Sequence, residues 1–135
     1  MNVKRYLLSV LAVFVSIIVL DFIIHSVILM GAYVAVKDLW RPDMMSYMWI
    51  MYVKELVLSF LFVYVFAKGY EGKGILEGVR YGLIIGVMVD GLGSFAQYMI
   101  YPLPINLVIQ WSVYGIIQYT IVGIVAALIY RPGEI

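Results

Sequence analysis

SYMWIMYVKELVLSFLFVYVFAKG, Ser46–Gly69, is apolar over a length that can cross a bilayer, yet Lys54 and Glu55 stand side by side inside it. Roughly 30 Å of hydrocarbon takes about 20 helical residues at 1.5 Å each. Reading this stretch as a membrane span decides the fold. Its two charges then raise the question of what else lies at their depth.

The rest of the chain resembles the quoted stretch. Of 135 residues, 65% are hydrophobic and 13% charged, too little polar surface to cover a soluble domain of this size. Lipid is the expected solvent and the bilayer the first partner. A formal net charge of +1 gives no basis for nucleic-acid binding, and the absence of cysteine removes disulfides and thiolate metal sites. Four apolar segments run approximately Tyr6–Val36, Ser46–Ala67, Val79–Tyr101 and Ile105–Tyr130. The first follows Lys4 and Arg5, as a signal peptide would. It is too long for one, and Gly31–Val36 has no clear A-x-A cleavage site, so it reads as a retained span. The expectation is one all-α domain over residues 1–135, an integral membrane four-helix bundle with antiparallel neighbours.

Basic residues set the expected orientation. An even number of spans puts both termini and the inner loop on one side, with Lys4, Arg5, Lys68, Lys73, Arg80 and Arg131, against Lys37 and Arg41 on the other. The positive-inside rule makes the richer side cytoplasmic, so both termini are expected there. Tyr33, Trp40, Tyr47, Trp49, Tyr98, Tyr101 and Trp111 then fall near the outer interface, as anchoring rings do. Pro102-Leu103-Pro104 makes the last outer turn so short that the third and fourth spans must be antiparallel neighbours. Phosphate loops, HExxH and GxSxG are absent.

Gly78, Gly82 and Gly86 recur every four residues in the third span, and the same face continues through Asp90, Ser94, Gln97 and Tyr101. Small residues at this spacing let another helix backbone approach closely, with Gly115, Gly123 and Ala127 of the fourth span as the natural counterparts. The same stripe could serve a homo-oligomer.

Polar residues cluster towards the outer half of every span. Asp21 and His25 form an i,i+4 pair in the first, Lys54 and Glu55 lie in the second, Asp90 in the third, and Asn106, Gln110, Tyr114 and Gln118 form a drifting stripe in the fourth. Counted inward from the outer ends, Lys54 and Glu55 come about 12–14 Å deep, Asp90 about 16 Å and Gln110 about 8 Å. An isolated charge costs about 2.5 kcal/mol or more at the bilayer centre, so these groups are expected to face one another or water. Glu55 points about 100° away from Lys54 on an ideal helix, so Lys54 is expected to reach Asp90 or Asp21, leaving Glu55 for His25.

Three carboxylates against one lysine leave an excess of negative charge that protonated His25, a protonated carboxyl or a bound cation could balance. A zinc, manganese or iron site built from His25, Glu55 and Asp90, with Asp21 beside them, is one reading, weakened by the single histidine. A proton or cation path is another. A third is a structural polar core in an accessory or scaffold subunit of a larger membrane complex. No activated nucleophile stands out, because Ser94 is expected to return its hydroxyl to the preceding turn, so catalysis is not expected; any cofactor is left open.

Asp21-x-x-x-His25, Leu39-Trp40-Arg41-Pro42, Glu77-Gly78-x-Arg80-Tyr81-Gly82-x-x-x-Gly86 and Tyr101-Pro102-Leu103-Pro104 together resemble small four-span bacterial inner-membrane proteins of uncharacterised families. The resemblance covers nearly the whole chain. It implies the topology and an inner-membrane location, and brings no activity with it.

Overall fold

In the computed structural model, which describes residues 1–133, every regular element is helical. Helix α1 (Val3–Asp21) starts where the Asn2 side chain accepts the Arg5 backbone N–H at 3.1 Å, satisfying one of the free donors of the first turn. It runs straight into a π-helical segment, Phe22–Ile28, that ends at Leu29. A short α2 (Met30–Ala35) and two 3-10 turns, Lys37–Leu39 and Met44–Tyr47, lead to α3 (Met48–Lys68). Helix α4 (Ile75–Gly86), a second π-helical segment (Val87–Gly91) and α5 (Leu92–Ile100) form one rod, and α6 (Ile105–Ile129) follows. Four rods, Val3–Ile28, Met44–Lys68, Ile75–Ile100 and Ile105–Ile129, are long and apolar enough to cross a membrane.

The apolar run Tyr6–Val36 is therefore not a single helix. The Leu29 N–H reaches back five residues to the Ile24 carbonyl at 2.8 Å, and its backbone leaves helical geometry at φ −93°, ψ 5°. Its side chain is 1% exposed, so inward packing holds the break. Apolar residues on both sides hide it from a hydropathy reading.

The connections explain the antiparallel order. Gly72 and Gly74 adopt φ of 74° and 77°, a region that side-chain-bearing residues rarely enter. The Glu77 carboxylate closes that loop by accepting the backbone N–H groups of Glu71 at 2.6 Å and Lys73 at 2.8 Å. Glu71 is exposed and pairs with Lys73 and, at 3.8 Å, with Arg80; the Lys73 hydrogen bond foremost holds its carboxyl below the usual range. At the other end Tyr101 is extended before Pro102, and α6 begins directly after Pro104.

Helix α6 packs against α4 and α1, and α1 against α3. The α4–α6 approach is backbone to backbone. A Cβ on Gly82 would overlap the Tyr119 carbonyl oxygen and lie 2.8 Å from Thr120 Cα, and one on Gly86 would lie 2.9 Å from Ile116 Cα. On the facing helix, a Cβ on Gly123 would overlap the Gly78 carbonyl. Only glycine fits both sides of this seam. Helices α3 and α4 meet instead through side chains: the Phe62 and Tyr81 rings lie 4.7 Å apart, and the Tyr81 hydroxyl donates to the Phe62 carbonyl at 2.6 Å.

Two apolar cores result. At the end holding the chain termini, Val10, Val13, Ile17, Phe62, Val63, Phe66, Tyr119 and Val122 are buried together. At the opposite end Leu103, Leu107 and Val108 are buried beneath Tyr33, Trp40 and Trp111. Those three rings, read from sequence as interfacial anchors, pack on one another with centroids 5.7 to 6.4 Å apart. Elsewhere the outside of the rods is apolar, with Leu11, Val15, Val19, Val57, Leu61, Met88 and Leu92 among the exposed side chains.

Candidate functional site

Between the two cores lies a cavity of about 550 Å³ to which all four rods contribute. Its polar lining comprises Asp21 and His25 of the first rod, Lys54 and Glu55 of α3, Asp90, Ser94 and Gln97 of the third rod, and Tyr114 and Gln118 of α6. Gln110 does not line it and is half-buried outside. The cavity face of α6 runs through Trp111, Tyr114, Gly115, Gln118 and Tyr119, and at 100° per residue Gln110 falls about 110° from its centre.

Both π-helical segments border this cavity. Asp21 immediately precedes the first and His25 lies within it, while Asp90 lies within the second. A π turn takes an extra residue, so the face that follows shifts by one position; such turns are frequent at functional sites. The shift is visible on the glycine stripe. After Gly78, Gly82 and Gly86 the next residue buried in the seam is Gly91, five positions on, where a Cβ would lie 3.2 Å from Ile116 Cδ1. Asp90, one position before Gly91, sits where the seam meets the cavity, packed on Gly115 of α6 and lining the open space. Its side chain, Cβ included, occupies the space that a Gly115 side chain would need: a Cβ there would overlap Asp90 Cβ and Oδ2 and lie 2.5 Å from Cγ.

One part of the lining is satisfied within the protein. Lys54 Nζ lies 2.7 Å from Glu55 Oε1, so the expected partnership of Lys54 with Asp90 or Asp21 does not form. The long lysine stem folds around to its sequence neighbour, leaving the Lys54 side chain 64% exposed while Glu55 is only 5% exposed. His25 does not take Glu55 either: its Nδ1 lies 2.5 Å from the Tyr33 hydroxyl, which also accepts the Trp111 indole N–H at 2.7 Å. Asp21 accepts the Gln118 side-chain N–H at 2.8 Å.

The other part is open. Among the described residues Asp90, Ser94, Gln97 and Tyr114 make no hydrogen bond or ion pair. Ser94 thus departs from Ser9, Ser16 and Ser59, whose hydroxyls return to the carbonyl four residues back. Lys54, Gly93 and Gln97 line the cavity and are exposed, which locates an entrance between α3 and α5.

His25, Glu55 and Asp90 share the cavity, but among the described residues no three histidine or carboxylate side chains converge as a metal set. The reading of these three as zinc, manganese or iron ligands is not supported, because Glu55 is turned to Lys54 and His25 to Tyr33. What the lining offers is charge. By formal count, Asp21, Glu55 and Asp90 outnumber the one ammonium, that of Lys54.

Tyr33 and Trp111, read from sequence as interfacial anchors, also line the cavity. Trp111 shares the helical face of Tyr114, Gly115 and Gln118, which is the signal that could have found it. Tyr33 lies beyond the Leu29 break and carries no such signal. Comparison with protein-family models, curated proteins and solved structures finds no match to this chain.

Proposed function

We propose that this is a polytopic membrane protein, non-enzymatic, whose cavity binds or relays a proton or small cation. The observation that carries the reading is Asp90, a carboxylate on a 550 Å³ cavity with no hydrogen bond or ion pair among the described residues, beside a lining whose one ammonium already belongs to Glu55. A cation near Asp90 offsets the desolvation that an intramembrane carboxylate suffers. The apolar exterior supports insertion, and the basic-residue split supports a cytoplasmic location for both termini, which puts the cavity in the outer half of the membrane. The resemblance to small four-span bacterial proteins supports an inner membrane.

Proteoliposomes carrying a trapped pH-sensitive dye, with a sodium-sensitive dye in parallel, test this. The chain should speed the collapse of an imposed proton or sodium gradient, and Asp90→Asn should remove the effect. Two dyes that respond no faster than in empty liposomes sink the relay.

A second reading has its own observation. The Lys54–Glu55 pair, the Asp21–Gln118 bond and the His25–Tyr33–Trp111 chain leave no buried side-chain nitrogen or oxygen without a partner among the described residues. The satisfied half of the lining suits an accessory or scaffold subunit of a larger membrane complex, whose helices it would keep in register. Stable co-purification with partner subunits from native membranes, with silent liposomes, favours it.

A further inference from the structure

Four observations narrow the class of cation. First comes size: 550 Å³ corresponds to about 18 waters at ~30 Å³ each and lies in the range of small-molecule sites, well above what a dehydrated metal ion fills. Second is ligand geometry, since no three carboxylate or histidine groups among the described residues converge to replace a metal ion's water shell. Third is formal charge, since two carboxyls, Asp21 and Asp90, remain once Lys54 is assigned to Glu55. Fourth is the company that Asp90 keeps. The rings of Tyr33, Trp111 and Tyr114 line the same space, and aromatic rings attract an ammonium group through their quadrupoles where a strongly hydrated metal ion gains less.

We infer that the cavity is a binding site for a small organic ammonium ion, with Asp90 as its counter-ion and Trp111 and Tyr114 as its apolar wall. The inference rests on the cation-binding reading above and names the cation. Size and the lack of a converging ligand set among the described residues weigh against a dehydrated metal ion. The pairing of carboxylate with aromatic rings decides against a neutral solute. Ser94 and Gln97, one and two turns on from Asp90, are free to hydrogen-bond a hydroxyl or amide carried by the same molecule. The entrance between α3 and α5 faces sideways out of the bundle, so the ammonium group could belong to a free solute or to a lipid headgroup.

The test uses the full chain in maltoside micelles, titrated with choline and with 3,3-dimethylbutanol, its uncharged isostere, by calorimetry and tryptophan fluorescence. Choline should bind saturably with an accompanying fluorescence change, and the isostere at least tenfold more weakly. Asp90→Asn should weaken choline at least tenfold. Trp111→Leu should weaken it about tenfold, and Trp111→Phe much less, because a ring face is kept although the hydrogen bond to Tyr33 is lost in both. Phe against Leu therefore keeps the outcome readable if Asp90→Asn fails to fold. Nanodiscs separate the sources: competition from phosphatidylcholine but not from phosphatidylglycerol identifies a headgroup site, and equal choline affinity in both identifies a free solute. Absence of saturable choline binding, or equal binding of the isostere, overturns the inference. Ion flux in liposomes without choline binding overturns it and leaves the broader reading standing, whereas silence in both experiments removes both.

Discussion

Replacing Gly82 by alanine adds one methyl group at the tightest point between α4 and α6. That Cβ would overlap the Tyr119 carbonyl oxygen and come within 2.8 Å of Thr120 Cα and 2.9 Å of Tyr119 C. All three neighbours are backbone atoms of a helix, so no rotamer change relieves the overlap; the two helices must part. A gap of 0.5–1 Å already forfeits about a quarter to a half of the dispersion energy of each contact along the seam. In lipid that loss has no hydrophobic compensation, because the acyl chains are as apolar as the side chains they would replace. Gly82→Ala should therefore cost about 2–3 kcal/mol, the upper part of the range for overpacking, and Gly82→Leu should prevent assembly. Gly93, in α5, is the control: a Cβ there meets nothing within 4 Å, so Gly93→Ala should fall within about 0.5 kcal/mol of the parent or gain slightly from helix propensity. Reversible denaturation in mixed detergent micelles, followed by circular dichroism, measures both. Stabilities for the two alanine variants within 0.5 kcal/mol of each other would refute the close-contact reasoning.

Lys54→Met should destabilise by about 3 kcal/mol because it leaves the Glu55 carboxylate buried without its partner, and Lys54→Met/Glu55→Gln should recover most of that loss in the same assay; a fully additive double mutant contradicts the pairing. Gly115→Ala would overlap Asp90 Cβ, which no rotamer change moves, as well as its carboxyl, so it should cost about 2–3 kcal/mol and, in the folded fraction, lower cation-dependent flux and choline affinity several-fold. Unchanged binding in that variant removes Asp90 from the site. Single cysteines at Asp43 and Gly74, in loops at opposite ends of the rods, should label from opposite faces of sealed vesicles, and labelling from one face alone ends the four-span topology.

The sequence by itself determined the four apolar helices. Their length and composition are local properties, readable one segment at a time, and the Pro102–Pro104 and Gly72–Gly74 connections leave little freedom in how neighbours fold back. The spacing of Gly78, Gly82 and Gly86 likewise announced a close approach, because a missing side chain means the same thing in any partner's groove. Tertiary structure alone decided what depends on a second surface or on a departure from ideal helix geometry. Gly91 rather than Asp90 takes the next place in the glycine stripe, and Asp90 falls at its cavity edge, because a π turn inserts one residue into the repeat, which a period of 3.6 carried through the span cannot anticipate. Lys54 pairs with Glu55 rather than across the bundle because four methylenes outreach a 100° separation, a matter of rotamer and available space. Tyr33 joins the cavity because the chain breaks at Leu29, held there by a buried side chain and a five-residue hydrogen bond among residues that are apolar on either side. Charge and depth are carried by single residues, but which charges meet is set by the packing of four helices at once.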